Sequence, residues 1–187
     1  MEKPAITTLG CAILGLLHVE PRTGYALRKV FETTPMGHYS SSPGAIYPAL
    51  KRLEKRGLAS SQIDNSTKLR PKQVYSTTQA GVDILRYWVS QPIKKENVVH
   101  DLGDLMLRFS FMGTLASEQV TYRFLLQMAS GIDLYVGELE QLLQDMPETA
   151  PLHGRLALQS GIGTYRAQAD WARQAMREFA PGSDEDA

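Results

Sequence analysis

Residues 42–58, SPGAIYPALKRLEKRGL, combine side chains that can bind a polyanion. At helical spacing, one face of this stretch carries small, aromatic and cationic residues: Gly44, Tyr47, Pro48, Lys51, Arg52 and Lys55. The glycine permits close approach, the tyrosine offers a ring and a hydroxyl, and the cations can meet phosphates or base edges. Ser41 and Ser42 stand where hydroxyls at a helix N-terminus can bind a phosphate. The stretch indicates contact with DNA, and a solvated basic face is the alternative interpretation.

These residues need a helix to position them. Ser42 is a suitable N-cap, Pro43 suits the first helical position, and Gly57 can end the helix. The face toward the core is formed by apolar residues at spacings of four and three: Ile46, Leu50 and Leu53. Pro48 interrupts this pattern, because a proline inside a helix removes a backbone hydrogen bond. Either the first turn is irregular or the helix begins nearer Ile46.

A two-stranded wing is predicted directly after this helix. Residues 58–63 and 73–76 favour strands, and residues 64–67 favour a turn. Cations fall in the turn and at the start of the returning strand: Lys68, Arg70 and Lys72. Cations at the tip of a hairpin beside a basic helix extend the predicted DNA-binding surface.

Three further helices complete the predicted N-terminal domain. They cover residues 9–18, residues 24–33 with Thr23 as the N-cap, and a segment from Thr77 or Thr78 through Trp88. This order of helices and strands predicts a winged helix-turn-helix, in which the third helix enters the major groove. The predicted fold class is mostly α with a small β component (α+β).

The distribution of charge agrees with a DNA-binding half. The chain of 187 residues has a formal net charge of zero. Residues 1–90 hold 12 Lys plus Arg against 6 Asp plus Glu, and residues 91–187 hold 8 against 14, giving +6 and −6. Such asymmetry is expected when only one domain binds a polyanion. We predict a DNA-binding domain over residues 1–92, a helical domain for dimerisation and effector sensing over 93–181, and an acidic tail over 182–187.

The second half shows two apolar stripes at heptad spacing. The first comprises Leu125, Met128, Ile132, Tyr135, Leu139 and Leu142, and the second comprises Leu158, Ile162, Tyr165, Ala169, Ala172, Met176 and Phe179. The break at residues 146–151 predicts an antiparallel helical hairpin. A shorter helix is predicted before it, over residues 98–112.

Apolar residues outside the two stripes suggest that more surface is buried than a hairpin alone can cover. They are Leu126, Leu134, Leu143, Leu156 and Trp171. This surface can pack against a second copy of the chain or against the rest of the same chain. We predict a homodimer whose interface includes Leu125, Met128, Ile132, Tyr135, Leu139, Tyr165, Ala169, Ala172 and Met176. A dimer would read two half-sites of a palindromic operator.

The sequence shows no pattern that is typical of a catalytic site or a metal site. Cys11 is a lone cysteine in an apolar helical pattern and is predicted to be buried and unreactive. The four histidines lack metal-ligand or triad spacing, and there is no phosphate-binding glycine motif. No stretch is long enough to span a membrane. We therefore predict a cytoplasmic protein without a cofactor or a metal, and not an enzyme.

Four blocks in the N-terminal half resemble the PadR-like transcriptional regulators. They are ILGLL at 13–17, GYAL at 24–27, SPGAIYPALKRLEKRGL at 42–58 and VYSTTQAG at 74–81. The resemblance implies a bacterial, nucleoid-associated, dimeric DNA-binding protein, usually a repressor, with a helical dimerisation region. It also implies that proline at position 48 belongs inside this helix. The length and helix layout of the second half resemble the virulence-regulator-like branch of the family.

The same resemblance implies a small aromatic effector. Trp88, Tyr165 and Trp171 are aromatics that could line a pocket for it, although aromatics at helical spacing are more often core or interface residues. Two alternatives to the main function remain at this point. One is a MarR-like regulator with the same wing and a different dimer, which the 42–58 block disfavours. The other is a winged helix whose basic face binds an acidic protein.

Overall fold

The computed structural model describes residues 6–39, 43–65 and 71–179. In these residues the chain is mostly helical and forms a three-stranded antiparallel sheet, which confirms the predicted fold class. The chain divides into two compact units, residues 1–89 and 90–187. Over the described ranges, no helix has both the length and the apolar content that crossing a bilayer requires.

The N-terminal unit has the element order of a winged helix-turn-helix. Its elements are α1 (Thr8–Val19), β1 (Arg22–Thr23), α2 (Gly24–Thr33), α3 (Ile46–Lys55), β2 (Ala59–Asp64), β3 (Lys72–Thr77) and α4 (Gln79–Val89). Two short 3-10 segments, Pro35–Tyr39 and Pro43–Ala45, lie between α2 and α3. The strand order is β1-β3-β2, with both pairs antiparallel. Strands β2 and β3 form the wing.

Capping residues set the starts of α2 and α4. The Thr23 hydroxyl accepts a hydrogen bond from the Ala26 amide at 3.1 Å, and the Thr78 hydroxyl accepts one from the Gly81 amide at 3.2 Å. Each bond satisfies an amide that has no partner inside the helix. The prediction of Thr23 as a cap is confirmed, and Thr78 takes the second role.

The core of the N-terminal unit collects the apolar stripes of its helices. Fully buried side chains come from α1, α2, α3 and α4: Cys11, Ile13, Leu14, Leu27, Ile46, Leu50 and Leu85. Burial of a leucine or isoleucine side chain contributes roughly 1.5–3 kcal/mol, so this cluster holds the helices together. The predicted burial of Cys11 is confirmed.

The start of α3 differs from the predicted N-cap at Ser42. The α-helix begins at Ile46 after a 3-10 segment, and Ala45 occupies the N-cap position without a side-chain cap. Pro48 is therefore the third residue of α3, within the first turn, where backbone N–H groups have no intrahelical partner. This register explains why the proline is tolerated, and the alternative start near Ile46 is confirmed.

Gly57 ends α3 as predicted. Its φ of +69° is the left-handed conformation that glycine adopts at low cost. The Gly57 amide donates to the Glu54 carbonyl at 2.9 Å, and the Leu58 amide donates to the Leu53 carbonyl at 2.9 Å. This pair of bonds is the Schellman motif, which turns the chain from α3 into the wing.

The C-terminal unit is helical throughout its described part. Its elements are α5 (Lys95–His100), α6 (Leu102–Ser110), α7 (Met112–Leu115), α8 (Glu118–Gln144) and α9 (Leu152–Arg177). Helices α8 and α9 form the predicted hairpin. The single helix predicted over residues 98–112 is wrong, because Asp101 leaves the helical conformation (φ −128°, ψ 32°) and separates α5 from α6.

Arg108 is a buried cation that the apolar pattern of α6 does not reveal. Its side chain is 5% exposed, lies 5.0 Å from the centroid of the Phe124 ring and donates to the Gln91 carbonyl. Burial lowers the pKa of Arg108 to about 10, while Asp104 opposes this shift. The guanidinium therefore stays charged at neutral pH and needs these partners to offset its desolvation.

Candidate nucleic-acid interface

The exposed face of α3 carries the side chains predicted to bind DNA. Tyr47 is 46% exposed, and Pro48, Lys51, Arg52 and Lys55 are also exposed. Gly44, just before the helix, is exposed as well. The opposite face is buried through Ile46, Ala49, Leu50 and Leu53. The buried apolar residues thus hold α3 against the core, and the polar and cationic face of α3 is accessible to a partner.

Tyr47 occupies one edge of this face, and Gly24 supports its ring. A Cβ atom placed on Gly24 would lie only 2.6 Å from Cε1 of Tyr47. The first residue of α2 must therefore be a glycine for the ring to lie there. In the sequence, the one local signal for this role is that Gly24 directly follows the capping Thr23.

Arg52 lies toward the other edge of the exposed face. At 3.6 residues per turn it is about 140° around α3 from Tyr47. It lines a shallow cavity of about 280 Å³ together with Lys55, Arg56 and residues at the start of α1, including Thr7. The predicted set of Tyr47, Lys51 and Arg52 therefore spans the full width of the face.

Of the three wing cations predicted to contact DNA, Lys72 is the one that lies within the described residues. Lys72 is exposed at the start of β3, but it is paired across the ladder with Asp64. Opposite charges at such a position attract each other, which reduces the local positive potential. Four predicted contacts lie outside the described residues: Ser41, Ser42, Lys68 and Arg70. The acidic tail over residues 182–187 also lies outside them.

Glu54 and Tyr75 lie where α3 meets the wing. Tyr75 is 6% exposed on β3. Burial raises the pKa of Tyr75, and the charges of Glu54 and then Tyr47 raise it further. The phenol therefore stays neutral. Among the neighbouring groups, Glu54 raises the pKa of Tyr75 most. Sequence analysis assigned no role to either residue.

The residues predicted to form the dimer interface are in large part buried inside one chain. Five of them are at most 1% exposed in the hairpin: Leu125, Met128, Ile132, Ala169 and Ala172. Such side chains are not a surface that a second copy can contact, so this part of the prediction is corrected. Tyr135, Leu139, Tyr165 and Met176 are half-buried.

The aromatics proposed for an effector pocket are already engaged in packing. The Trp171 ring stands perpendicular to Phe109 with centroids 5.2 Å apart, and Tyr165 stands perpendicular to Tyr135 at 5.1 Å. The Tyr165 hydroxyl donates to the Val99 carbonyl at 3.2 Å, and burial raises its pKa. Trp88 is half-buried on α4 of the other unit.

Comparison with known proteins places the similarity in the same N-terminal unit. Residues 13–86 match the transcriptional regulator PadR-like family. The negative transcriptional regulator PadR of Bacillus subtilis (strain 168) is 31% identical over 116 residues, which is 60% of this chain. The chain matches 61% of the length of that curated relative.

Solved structures of PadR proteins also match along the chain. Bacillus subtilis PadR in complex with operator DNA is 23% identical, with a TM-score of 0.44, over 95% of this chain and 100% of that one. A PadR-like transcriptional regulator from Bacillus cereus is 21% identical, with a TM-score of 0.40, over 91% and 97%. The match over residues 13–86 contains the four sequence blocks and all of the exposed face of α3. Residues 13–86 therefore match the transcriptional regulator PadR-like family, and this part of the chain carries the similarity.

Proposed function

We propose that this protein is a sequence-specific DNA-binding transcriptional repressor that acts as a homodimer on a palindromic operator. The observation that carries this proposal is α3, whose apolar residues are buried while its aromatic and cationic residues are exposed together. A major groove about 12 Å wide admits such a helix. Repression, rather than activation, rests on the resemblance to the family, and we assign the protein to the bacterial cytoplasm on the same ground.

Within this proposal, α3 is the recognition helix. Tyr47 and Lys51 lie on adjoining parts of its exposed face and reach base edges. Arg52 stands beside Lys55 and Arg56, so it can bind either a base or a phosphate. Lys72 of the wing, with Ser41, Ser42, Lys68 and Arg70, would bind the phosphate backbone.

The homodimer is proposed to form through the loop-proximal half of the α8–α9 hairpin, residues 131–164, which we call the tip. Four leucines there are more than half exposed: Leu134 (74%), Leu142 (55%), Leu152 (57%) and Leu156 (51%). Leu134 also lines a groove of about 760 Å³ between α5 and α8, with Ile93, Val98 and Tyr135. Exposed apolar surface of this extent, on the helices that the sequence marks for dimerisation, favours a second copy as the occupant.

Release from DNA by a small aromatic compound is the part of the proposal that depends most on the family resemblance. Trp171 is the reporter to test, because it is half-buried in the helical unit and packs against Phe109. In a Trp88→Phe protein, binding of an aromatic compound near Trp171 should change its fluorescence. Unchanged fluorescence with compounds that release the protein from DNA would place the effector elsewhere.

The dependence of DNA binding on salt tests the proposed function. The logarithm of the binding constant should fall linearly with that of the salt concentration, by roughly 0.9 for each phosphate neutralised. Lys51→Ala should weaken binding, whereas Arg177→Ala, the same charge change on α9, should not. A binding constant that does not depend on salt would contradict DNA binding and favour an acidic protein as the partner.

Arg52→Ala separates base contact from phosphate contact. If Arg52 reads a base, the variant should lose about 1–3 kcal/mol of discrimination between operator and random DNA. Equal weakening on both DNAs would make Arg52 a phosphate contact only. Footprinting around the native gene would supply the operator for this measurement.

A further inference from the structure

Three polar side chains connect the recognition helix to both strands of the wing. They are Glu54 on α3, Ser61 on β2 and Gln73 on β3. The Ser61 hydroxyl donates to Oε1 of Glu54 at 2.5 Å. Nε2 of Gln73 donates to the Ser61 hydroxyl at 2.8 Å.

The chemistry of the three groups fixes the direction of these bonds. An ionised carboxylate only accepts, and the side-chain NH₂ of a glutamine only donates. A hydroxyl can do both at once, so it must stand in the middle. The bond to Glu54 involves a charged acceptor and is the stronger kind. Alanine at position 61 would break both connections, whereas threonine would keep the hydroxyl.

The network lies at the edge of the exposed face of α3. Glu54 follows Lys51 by three residues and Tyr47 by seven, so at 3.6 residues per turn all three lie on the same side of the helix. On the wing, Ser61 is opposite Tyr75 and Gln73 is opposite Ile63 in the ladder. The exposure of the three side chains increases outward, from half-buried Glu54 and Ser61 to exposed Gln73.

The hydrogen bonds among Glu54, Ser61 and Gln73 have two consequences for a DNA-binding surface. Beyond the pairing of β1 with Val74 and Tyr75 the wing is a two-stranded hairpin, which has little stability of its own, so side-chain contacts are needed to keep its angle to α3. A free carboxylate beside Lys51 would also repel the phosphates. The Ser61 hydroxyl binds that carboxylate and ties it to the wing.

We propose that Ser61 is a positioning residue of the DNA-binding unit, which holds the wing at a fixed angle to α3 and keeps the Glu54 carboxylate away from the DNA backbone. This inference rests on the proposed DNA binding. Ser61 touches neither a base nor a phosphate in this role and acts through Glu54 and Gln73.

Three variants of the full-length protein test the role of Ser61. Ser61→Ala should lower operator affinity about tenfold, the size expected when a hydrogen bond to a charged group is lost. Its binding to random DNA should fall less, because phosphate contacts tolerate a change in wing angle. Ser61→Thr should restore operator binding. Ser60→Ala, an exposed serine on the opposite face of β2, is the matched control and should bind like the unchanged protein.

Glu54→Gln separates the two parts of the role. Its amide oxygen can still accept from Ser61, but the variant carries no negative charge. It should therefore bind both DNAs at least as tightly as the unchanged protein. Ser61→Ala should cost less affinity in this background than in the unchanged one. An equal cost in both backgrounds would overturn the claim that Ser61 shields the carboxylate.

Hydrogen exchange of the wing tests the positioning role without DNA. Amides of β2 and β3 should exchange faster in Ser61→Ala than in Ser60→Ala, at the same global unfolding temperature. Unchanged exchange, or unchanged operator affinity while the unchanged protein binds DNA in a salt-dependent way, would overturn the inference and leave the proposed function intact. If the unchanged protein binds no DNA, the proposed function fails, and the exchange result alone decides whether Ser61 holds the wing.

Discussion

The position of a single ring on α3 depends on a residue in another helix. Tyr47 is the aromatic of the exposed face, and its ring edge occupies the space that a side chain at position 24 would fill. An aromatic ring with a fixed orientation loses little conformational entropy on binding, which suits it to recognition. Gly24 is thus a buried residue that determines where the Tyr47 ring lies on the exposed face of α3.

Gly24→Ala is expected to lower operator specificity. The new methyl group would lie 2.6 Å from Cε1 of Tyr47, so the ring must move. Because the obstacle is a side chain that can rotate and not backbone, the fold should be retained, and the loss of specificity should be about 1 kcal/mol if Tyr47 reads a base. Competition between operator and random DNA measures this loss. In a Tyr47→Ala background the same substitution should have little further effect, and full additivity would contradict the contact as the cause.

Asp64 and Lys72, the ladder pair next to the wing turn, give a second prediction for single residues. Lys72→Ala should weaken binding similarly on all DNA sequences and lower the salt slope by about one unit. Asp64→Asn should act in the opposite direction, because the carboxylate opposite Lys72 is removed. Titrations of operator and random DNA at several salt concentrations measure both. A loss confined to the operator would show that Lys72 reads sequence.

Among the elements, α4 approaches the turn between α3 and β2 very closely. A Cβ atom on Gly81 would lie 2.2 Å from the Leu58 carbonyl oxygen, which belongs to the backbone. The Thr78 amide also donates to this carbonyl at 3.0 Å. The packing of α4 therefore supports the turn that leads from α3 into the wing.

Gly81→Ala is expected to destabilise the N-terminal unit. Alanine normally stabilises a helix relative to glycine by roughly 0.5–1 kcal/mol, but here it must push α4 away from a rigid backbone. We expect a net loss of about 1–3 kcal/mol in the free energy of unfolding, as for other overpacked positions. Gly163→Ala is the matched control, because α9 leaves open space there and the substitution should stabilise. Chemical denaturation compares the two, and equal effects would contradict the close approach.

At the scale of the whole molecule, the α8–α9 hairpin buries its apolar residues least next to the loop that joins the two helices. The buried residues of α9 are Ile162, Ala169 and Ala172, whereas Leu152 and Leu156 near the loop are exposed. A hairpin of two helices cannot cover both of its faces, and this uncovered end is where a second copy would add burial.

Substitution at the tip is expected to produce a monomer. Leu134→Glu combined with Leu142→Glu places two charges on the exposed apolar surface, so a dimer formed there should dissociate. Leu126→Glu is the control, because Leu126 is an exposed leucine of α8 outside the tip. Sedimentation or light scattering measures the mass of each variant. A tip variant that remains dimeric would move the interface to another face.

The sequence alone predicted much of the local structure of the N-terminal unit, although it placed the start of α3 too early and missed the break between α5 and α6 at Asp101. The stripe of Ile46, Leu50 and Leu53, the caps at Thr23 and Thr78, and the glycine at position 57 depend on residues within one or two turns of each other. Such signals predict where helices begin and end and which face of α3 is exposed. The cations and the charge split then indicate the kind of partner.

Only the tertiary structure decided which of these elements meet. The support of Tyr47 by Gly24, the link from Glu54 through Ser61 to Gln73, and the burial of Arg108 join residues far apart in the chain. The tertiary structure also decided the partners of the hairpin helices. Heptad spacing in the sequence is the same whether a helix packs against the next helix of its own chain or against another subunit. Spacing defines the apolar face of a helix, but close packing with distant segments determines what that face contacts.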